Sequence, residues 1–293
     1  MKSTQRNETL RSSARLYTFV AVGLAVLASL LGVIALTQSY DTNIGYYNTS
    51  SPLPTVLTVL CTASVVFFAV FATLRFRACP SAYAKKTPLA VQITAAATAA
   101  VALLLAITNL RAGSSLFVLL MGLATCLYFL LIATKKMTPA LSLAFGFCTM
   151  LRCIVEITSS YADLLIPMNS PEKIWLHLAA IAGIFFLLLE IRFLVGTPYT
   201  AIFFFAAASA TLLCATASLT LLAGSLTALF YGAPTKSDIL FFVLLFCLAV
   251  YAGTRLVTLA YNPNPIETIE TLETIEANET TEENKDIEEP EED

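Results

Sequence analysis

Charged residues are scarce in this chain. Of its 293 residues only 13% are charged while 57% are hydrophobic, and the mean hydropathy is +0.77. A soluble domain carries about 25% charged and about 45–50% apolar residues. This shortage of charge excludes a soluble globular enzyme and a nucleic-acid-binding protein, and it indicates a polytopic membrane protein.

Residues for common catalytic and metal chemistry are equally scarce. The chain has one His, and none of the sequences H-E-x-x-H, G-x-S-x-G, G-x-G-x-x-G, C-x-x-C or the P-loop occurs in it. These motifs supply the nucleophiles, metal ligands and phosphate cradles of many enzymes. Six of the seven Cys fall inside apolar runs, which argues against a disulfide scaffold. We therefore expect a protein that is not an enzyme and needs no cofactor or metal.

Long apolar runs make up most of the remaining sequence. A helix needs roughly 20 apolar residues to cross about 30 Å of hydrocarbon, and lipid-exposed backbone must be paired within its own segment. The sequence therefore predicts an all-α integral membrane bundle of eight transmembrane helices over 16–261, with a basic N-terminus at 1–15 and a tail at 262–293. The eight runs are Leu16–Gln38, Leu53–Leu74, Pro88–Leu110, Ser115–Thr134, Thr138–Ser159, Ile174–Val195, Pro198–Gly224 and Ile239–Ala260.

An internal duplication is one interpretation of the order of these helices. The last part of the second run contains Phe67-Phe68 shortly before Arg75. The last part of the sixth run likewise contains Phe185-Phe186 shortly before Arg192. This offset of four helices would give two parallel four-helix halves, a device known in transporters. The alternative is that Phe-rich helices ending in Arg are ordinary.

Basic residues in the short loops predict the orientation. If the N-terminus is inside, the inner segments hold twelve Lys and Arg and the outer segments hold three. Cytoplasmic loops carry the excess of positive charge, so both termini should be cytoplasmic in a cell-membrane protein. The inner set is Lys2, Arg6, Arg11, Arg15, Arg75, Arg77, Lys85, Lys86, Lys135, Lys136, Arg192 and Arg255.

Ionisable residues at membrane depth are the strongest functional signal. Arg152 and Glu156 are four positions apart on the fifth helix and so share a face. His177 on the sixth helix, with Tyr161 and Asp163 in the connecting loop, could join them in an outward-opening polar pocket for a small molecule or ion. The alternative is a neutralised pair that only fixes helix packing.

A second group lies near the inner end of the sixth helix. Glu190 is about one turn inside that end, and Arg255 on the eighth helix and Arg75 on the second are at similar depth. A charge in lipid needs a partner. The sequence therefore predicts an interhelical clamp, with an inner gate as the alternative.

The C-terminal tail differs in composition from the rest. Residues 267–293 hold 13 of the 20 acidic residues and one Lys, a net charge of −12. Self-repulsion of this kind predicts disorder. The tail is either a solubilising segment or an acidic docking segment for a basic protein partner.

Two functional hypotheses follow. The first is a small-molecule or ion transporter, permease-like, whose Arg152 and Glu156 face a wet interior. The second is a membrane sensor, scaffold or assembly factor with a dry, salt-bridged core, acting through its tail. In both, the lipid bilayer is a partner and nucleic acid is not.

Overall fold

The computed structural model describes residues 2–76, 88–164, 166–167, 169–196, 199–230 and 235–261, with side chains from residue 12 onward. Eight helices long and apolar enough to cross a membrane account for almost all of this part of the chain. The protein is an all-α, multi-pass membrane bundle. Its helices are α1 Lys2–Ser39, α2 Leu53–Phe76, α3 Leu89–Arg111, α4 Leu116–Ala133, α5 Pro139–Ala162, α6 Pro171–Val195, α7 Thr200–Leu226 and α8 Lys236–Tyr261.

The helix boundaries follow local sequence signals. Ser115, Thr138 and Ser170 each accept a hydrogen bond at a helix start from a backbone N–H three residues on, as N-cap residues do. Pro occupies the first position of α5 and α6, where its missing N–H costs nothing. The helices thus begin and end close to the predicted spans.

The first helix extends beyond the predicted apolar run. It begins at Lys2, so it includes most of the basic N-terminus predicted over 1–15 as well as the run from Leu16. No Pro or Gly interrupts 2–15, so the helix that crosses the membrane continues beyond it. The predicted tail at 262–293 lies outside the described residues.

Two ends of the bundle can be distinguished. A short antiparallel pair, β1 (Tyr40–Asp41) and β2 (Tyr46–Tyr47), joins α1 to α2 and marks what we call the hairpin end. The opposite end, where α1 begins and α8 ends, is the tail end. Gly45 has φ +76° in the hairpin turn, a conformation that favours glycine.

Helix α7 is the centre of the packing. In α7, 72% of an apolar 18-residue stretch is buried, against 28% in α2. Small side chains allow its neighbours to approach closely: Cys214 Sγ lies 3.2 Å from the carbonyl oxygen of Ala179 in α6, and Gly253 of α8 packs on Thr211. Close backbone approach supplies the van der Waals contact that drives association in lipid.

The helices form a ring with two additions. Helices α3, α4, α5, α6, α7 and α8 contact one another in that order and α8 returns to α3, while α1 packs on α7 and α8, and α2 packs on α1 and α7. The two halves are not packed alike, because α6 lies along α7 whereas their counterparts α2 and α3 share no extensive contact. The structure therefore gives no support to a duplicated architecture.

Candidate functional site

Arg152 and Glu156 form an ion pair inside the ring. Arg152 Nη1 lies 2.6 Å from Glu156 Oε2, and the two side chains are 3% and 16% exposed. The guanidinium of Arg152 also lies over the ring of Phe241 in α8, 5.2 Å from its centroid. This contact ties α5 to α8 across the ring interior.

The space beside Arg152 is small. Its cavity of about 10 Å³ is about the minimum for one water molecule. Arg152 Nε is buried without a hydrogen-bond partner, and the hydroxyls of Thr98, Thr125 and Thr149, which line the same cavity, donate to carbonyls of their own helices. At this depth the ring interior therefore has no room for a solute larger than about one water molecule.

The other members of the predicted outer pocket are held elsewhere. His177 contacts the backbone carbonyl of Ile157, and its Nε2 is buried without a partner. Tyr161 is 58% exposed, and the carbonyl oxygen of Asp163 accepts a hydrogen bond from Lys173 Nζ. None of these three lines the cavity beside Arg152. The structure therefore places the five residues at one end of α5 and α6 but does not gather them into one polar pocket.

Glu190 is the centre of a second buried cluster. Its carboxylate is fully buried and accepts hydrogen bonds from Tyr251 at 2.8 Å and from Arg255 Nε at 3.1 Å. Arg255 Nε also lies 2.9 Å from the other carboxylate oxygen, Oε1, at ion-pair distance. Glu190 and Arg255 lie less than two turns from the ends of α6 and α8. The pair joins two helices near the tail end of the bundle.

Aromatic rings surround this cluster. The Arg255 guanidinium lies 5.0 Å from the centroid of Phe193, and the hydroxyls of Tyr128 and Ser142 lie next to each other, buried and without good hydrogen-bond geometry. Arg75, the other partner considered for Glu190, is exposed on α2, which has no extensive contact with α6. The clamp is therefore Glu190 with Arg255, and Arg75 is not part of it.

A groove between α2 and α6 is a feature that the sequence did not predict. The two helices both pack on α7 without extensive contact to each other, which leaves a space of about 650 Å³ with Leu213 of α7 at its floor. Its walls are mostly apolar, and among the described residues no charged side chain lines it. The lining from α2 runs from Pro54 to Val66, about 18 Å at 1.5 Å of rise per residue.

The groove has a polar mouth at the hairpin end. Tyr46, Tyr47, Asn169 and Trp175 line it there. The Tyr47 hydroxyl lies next to Trp175, is shielded from solvent and has no hydrogen-bond partner of good geometry. Burial raises the pKa of Tyr47 to about 12, so the hydroxyl stays protonated at neutral pH and can donate. The Tyr47 hydroxyl is thus a buried donor beside the mouth of the groove.

Two contacts hold the hairpin over this mouth. Tyr40 donates a hydrogen bond of 2.9 Å to the carboxylate of Glu172 at the start of α6, and the hydroxyls of Ser39 and Ser51 are 2.6 Å apart across the loop. The only sequence signal was the Tyr-rich loop facing a Trp at a helix start, a pattern typical of any membrane interface.

A second groove lies on the other side of α7. It has a volume of about 990 Å³ between α1 and α8, and its lining is almost entirely aliphatic. The hydroxyls that line it, such as Ser29 and Thr211, donate to carbonyls of their own helices. Among the described residues, nothing polar at its ends distinguishes this groove from a surface that lipid tails cover.

The described side chains include no group of three His, Cys, Asp and Glu placed to hold a metal ion. The groove between α2 and α6 and the two ion pairs are therefore the candidate sites. Comparison of the chain with protein-family models, with curated proteins and with solved structures finds no match.

Proposed function

We propose that this membrane protein is a small-molecule permease whose ligand is an amphiphile that enters the groove between α2 and α6 from the bilayer. The observation that carries the proposal is the combination of an apolar groove of about 650 Å³ with a mouth lined by Tyr47, Trp175 and Asn169. Ligand sites are concave and mostly apolar, with a few placed polar groups.

The lining indicates the chemistry of the ligand. Leu57, Val65 and Leu178 offer only dispersion contacts, which suit one hydrocarbon chain. Since none of the described side chains that line the groove is charged, the head of the molecule should be neutral and able to accept a hydrogen bond from Tyr47. A long-chain alcohol, ester or monoacylglycerol fits this description.

The groove suits a permease better than the ring interior does. The cavity beside Arg152 is too small for a solute larger than water, so a polar route there would require α5 and α8 to separate. The groove is already open along the bilayer and reaches α7, the helix on which most others pack.

The test is labelling by a photoreactive monoacylglycerol in detergent micelles. Leu178→Trp places a large ring in the groove, whereas the matched control Ile181→Trp lies on the same helix, 56% exposed and outside the lining. We expect Leu178→Trp to remove most of the labelling of α2 and α6 and Ile181→Trp to leave it unchanged. Equal labelling in both variants, or labelling spread over all helices, would contradict the proposal.

A second candidate function rests on the two shielded ion pairs. Both ion pairs are shielded and their helices are tied together by side-chain contacts, as expected of a rigid membrane scaffold, sensor or assembly factor. Purification from the native membrane with and without 267–293 tests it, with a protein that co-purifies only with the full chain as the supporting result. Equal recovery of proteins with both forms would oppose it.

A further inference from the structure

The tail end of the bundle presents one sign of charge. Arg15, Arg75, Lys135 and Lys136 are exposed there. The acidic side chains described elsewhere, such as Asp41, Asp163 and Asp238, lie at or near the hairpin end, and the one acid at the tail end, Glu190, is buried against Arg255. Within the described side chains, the surface of the tail end is therefore exclusively basic.

The whole sequence strengthens this asymmetry. The alternation of helices assigns twelve Lys and Arg and two acids, Glu8 and Glu190, to the tail end, a formal charge of +10. The segment 267–293 has a net charge of −12. The two charges nearly cancel.

The place where the chain leaves the bundle brings the two together. Tyr261, the last residue of α8, lies under the guanidinium of Arg15, 4.9 Å from the ring centroid. The first tail acid, Glu267, follows six residues later, a span of about 20 Å when extended. Glu267 is therefore tethered within about 20 Å of Tyr261, which lies beside Arg15 at the tail end of the bundle.

We infer that the tail binds the basic tail end of its own chain, so that this surface is the basic partner that an acidic docking segment would need. Tethering keeps the local concentration of carboxylates high even when each contact is weak. The contacts are electrostatic and need no fixed tail conformation. The bound tail would shield Lys135 and Lys136 from other anions.

The experiment is carbodiimide cross-linking of the full chain, one copy per nanodisc of neutral lipid, followed by mass spectrometry. Carbodiimide joins a carboxylate directly to an amine, so a product reports contact. Lys135 and Lys136 are the test amines, and Lys236, exposed at the hairpin end, is the internal control.

We expect tail carboxylates to join Lys135 or Lys136 about tenfold more often than Lys236, and the excess to disappear when salt rises from about 0.1 M to about 1 M, where the screening length falls from about 10 Å to about 3 Å. Equal reaction at the three lysines, no products at any of them, or an excess that survives high salt would overturn the inference. When isotopically heavy and light copies of the chain are mixed in larger discs, cross-links between a heavy and a light copy should be rare. If such cross-links predominate, the tail binds a second copy and the inference is wrong.

Discussion

Glu190 and Arg255 lie 65 positions apart in the sequence, yet Arg255 Nε is 2.9 Å from the Glu190 carboxylate in the bundle, and Glu190 has no exposed surface. Each residue neutralises the charge of the other, and this matters because an unpaired charge in the membrane interior is costly. The pair fixes the rotation of α6 and of α8 toward each other, and it fixes their relative height.

Removing one member of this pair should destabilise the bundle strongly. Glu190→Gln leaves the Arg255 guanidinium buried without a counter-charge, a loss of about 3–5 kcal/mol in comparable cases. Tyr251→Phe keeps the ion pair and removes one donor, so its loss should be smaller, about 1.5–3 kcal/mol. Thermal unfolding in detergent ranks the two, with the exposed Lys135→Gln as a control that should unfold like the parent. A Glu190→Gln variant as stable as Tyr251→Phe would show that the charge is not buried.

Composition was sufficient to predict the helices. An apolar run of about 20 residues can pair its backbone groups in lipid as a helix, so the lengths and positions of the apolar runs predicted the eight spans and their order. The spacing of Arg152 and Glu156 predicted their pairing for the same local reason, since residues four apart share a helix face. The similar depth of Glu190 and Arg255 along their helices predicted that they could pair, but depth did not distinguish Arg255 from Arg75 as the partner.

The remaining features depend on which helices are neighbours, and no local pattern determines that. The groove exists because α2 and α6 both pack on α7 and leave a gap between them. Tyr40 and Glu172 are 132 positions apart, so their hydrogen bond could not be read from spacing. Proximity in sequence places His177 and Tyr161 at one end of the bundle without fixing the direction of their side chains, so the outer pocket stays a prediction.

Two glycines should respond in opposite ways to the same substitution. A Cβ on Gly146 would lie 2.6 Å from Ile191 Cδ1 and 3.1 Å from the Tyr128 ring, so Gly146→Ala should destabilise the junction of α4, α5 and α6 by about 1–3 kcal/mol. Gly23 faces open space in α1, and Gly23→Ala should stabilise by about 0.5–1 kcal/mol through helix propensity. Parallel melting curves of the two variants check this. A loss at Gly23, or no loss at Gly146, would contradict the packing.

The distribution of basic residues predicts that both ends of the chain lie in the cytoplasm. A fluorescent reporter that works in the cytoplasm should be active when it is fused after Tyr261. A phosphatase that needs export should be inactive at the same position. Reporters fused in the hairpin between β1 and β2 should give the reverse pattern, since that loop belongs to the opposite end. An active phosphatase after Tyr261 would contradict this orientation.

Substitutions of Arg152 and Glu156 can show whether this ion pair has a structural or a functional role. Each side chain lies at a depth where a lone charge is costly, so Arg152→Met or Glu156→Gln alone should lower the thermal stability markedly, by about 3–5 kcal/mol if the site is fully dry. Glu156 is 16% exposed, which should reduce the loss caused by its own substitution. The double variant Arg152→Met/Glu156→Leu removes both charges and should recover most of the stability, because a buried ion pair contributes little over apolar residues of similar volume.

Ligand binding is then measured on the recovered protein. Labelling by the photoreactive amphiphile should persist, since neither residue lines the groove between α2 and α6. A stable double variant that no longer binds would instead move the ligand site into the ring, and single variants as stable as the parent would show that water reaches the pair.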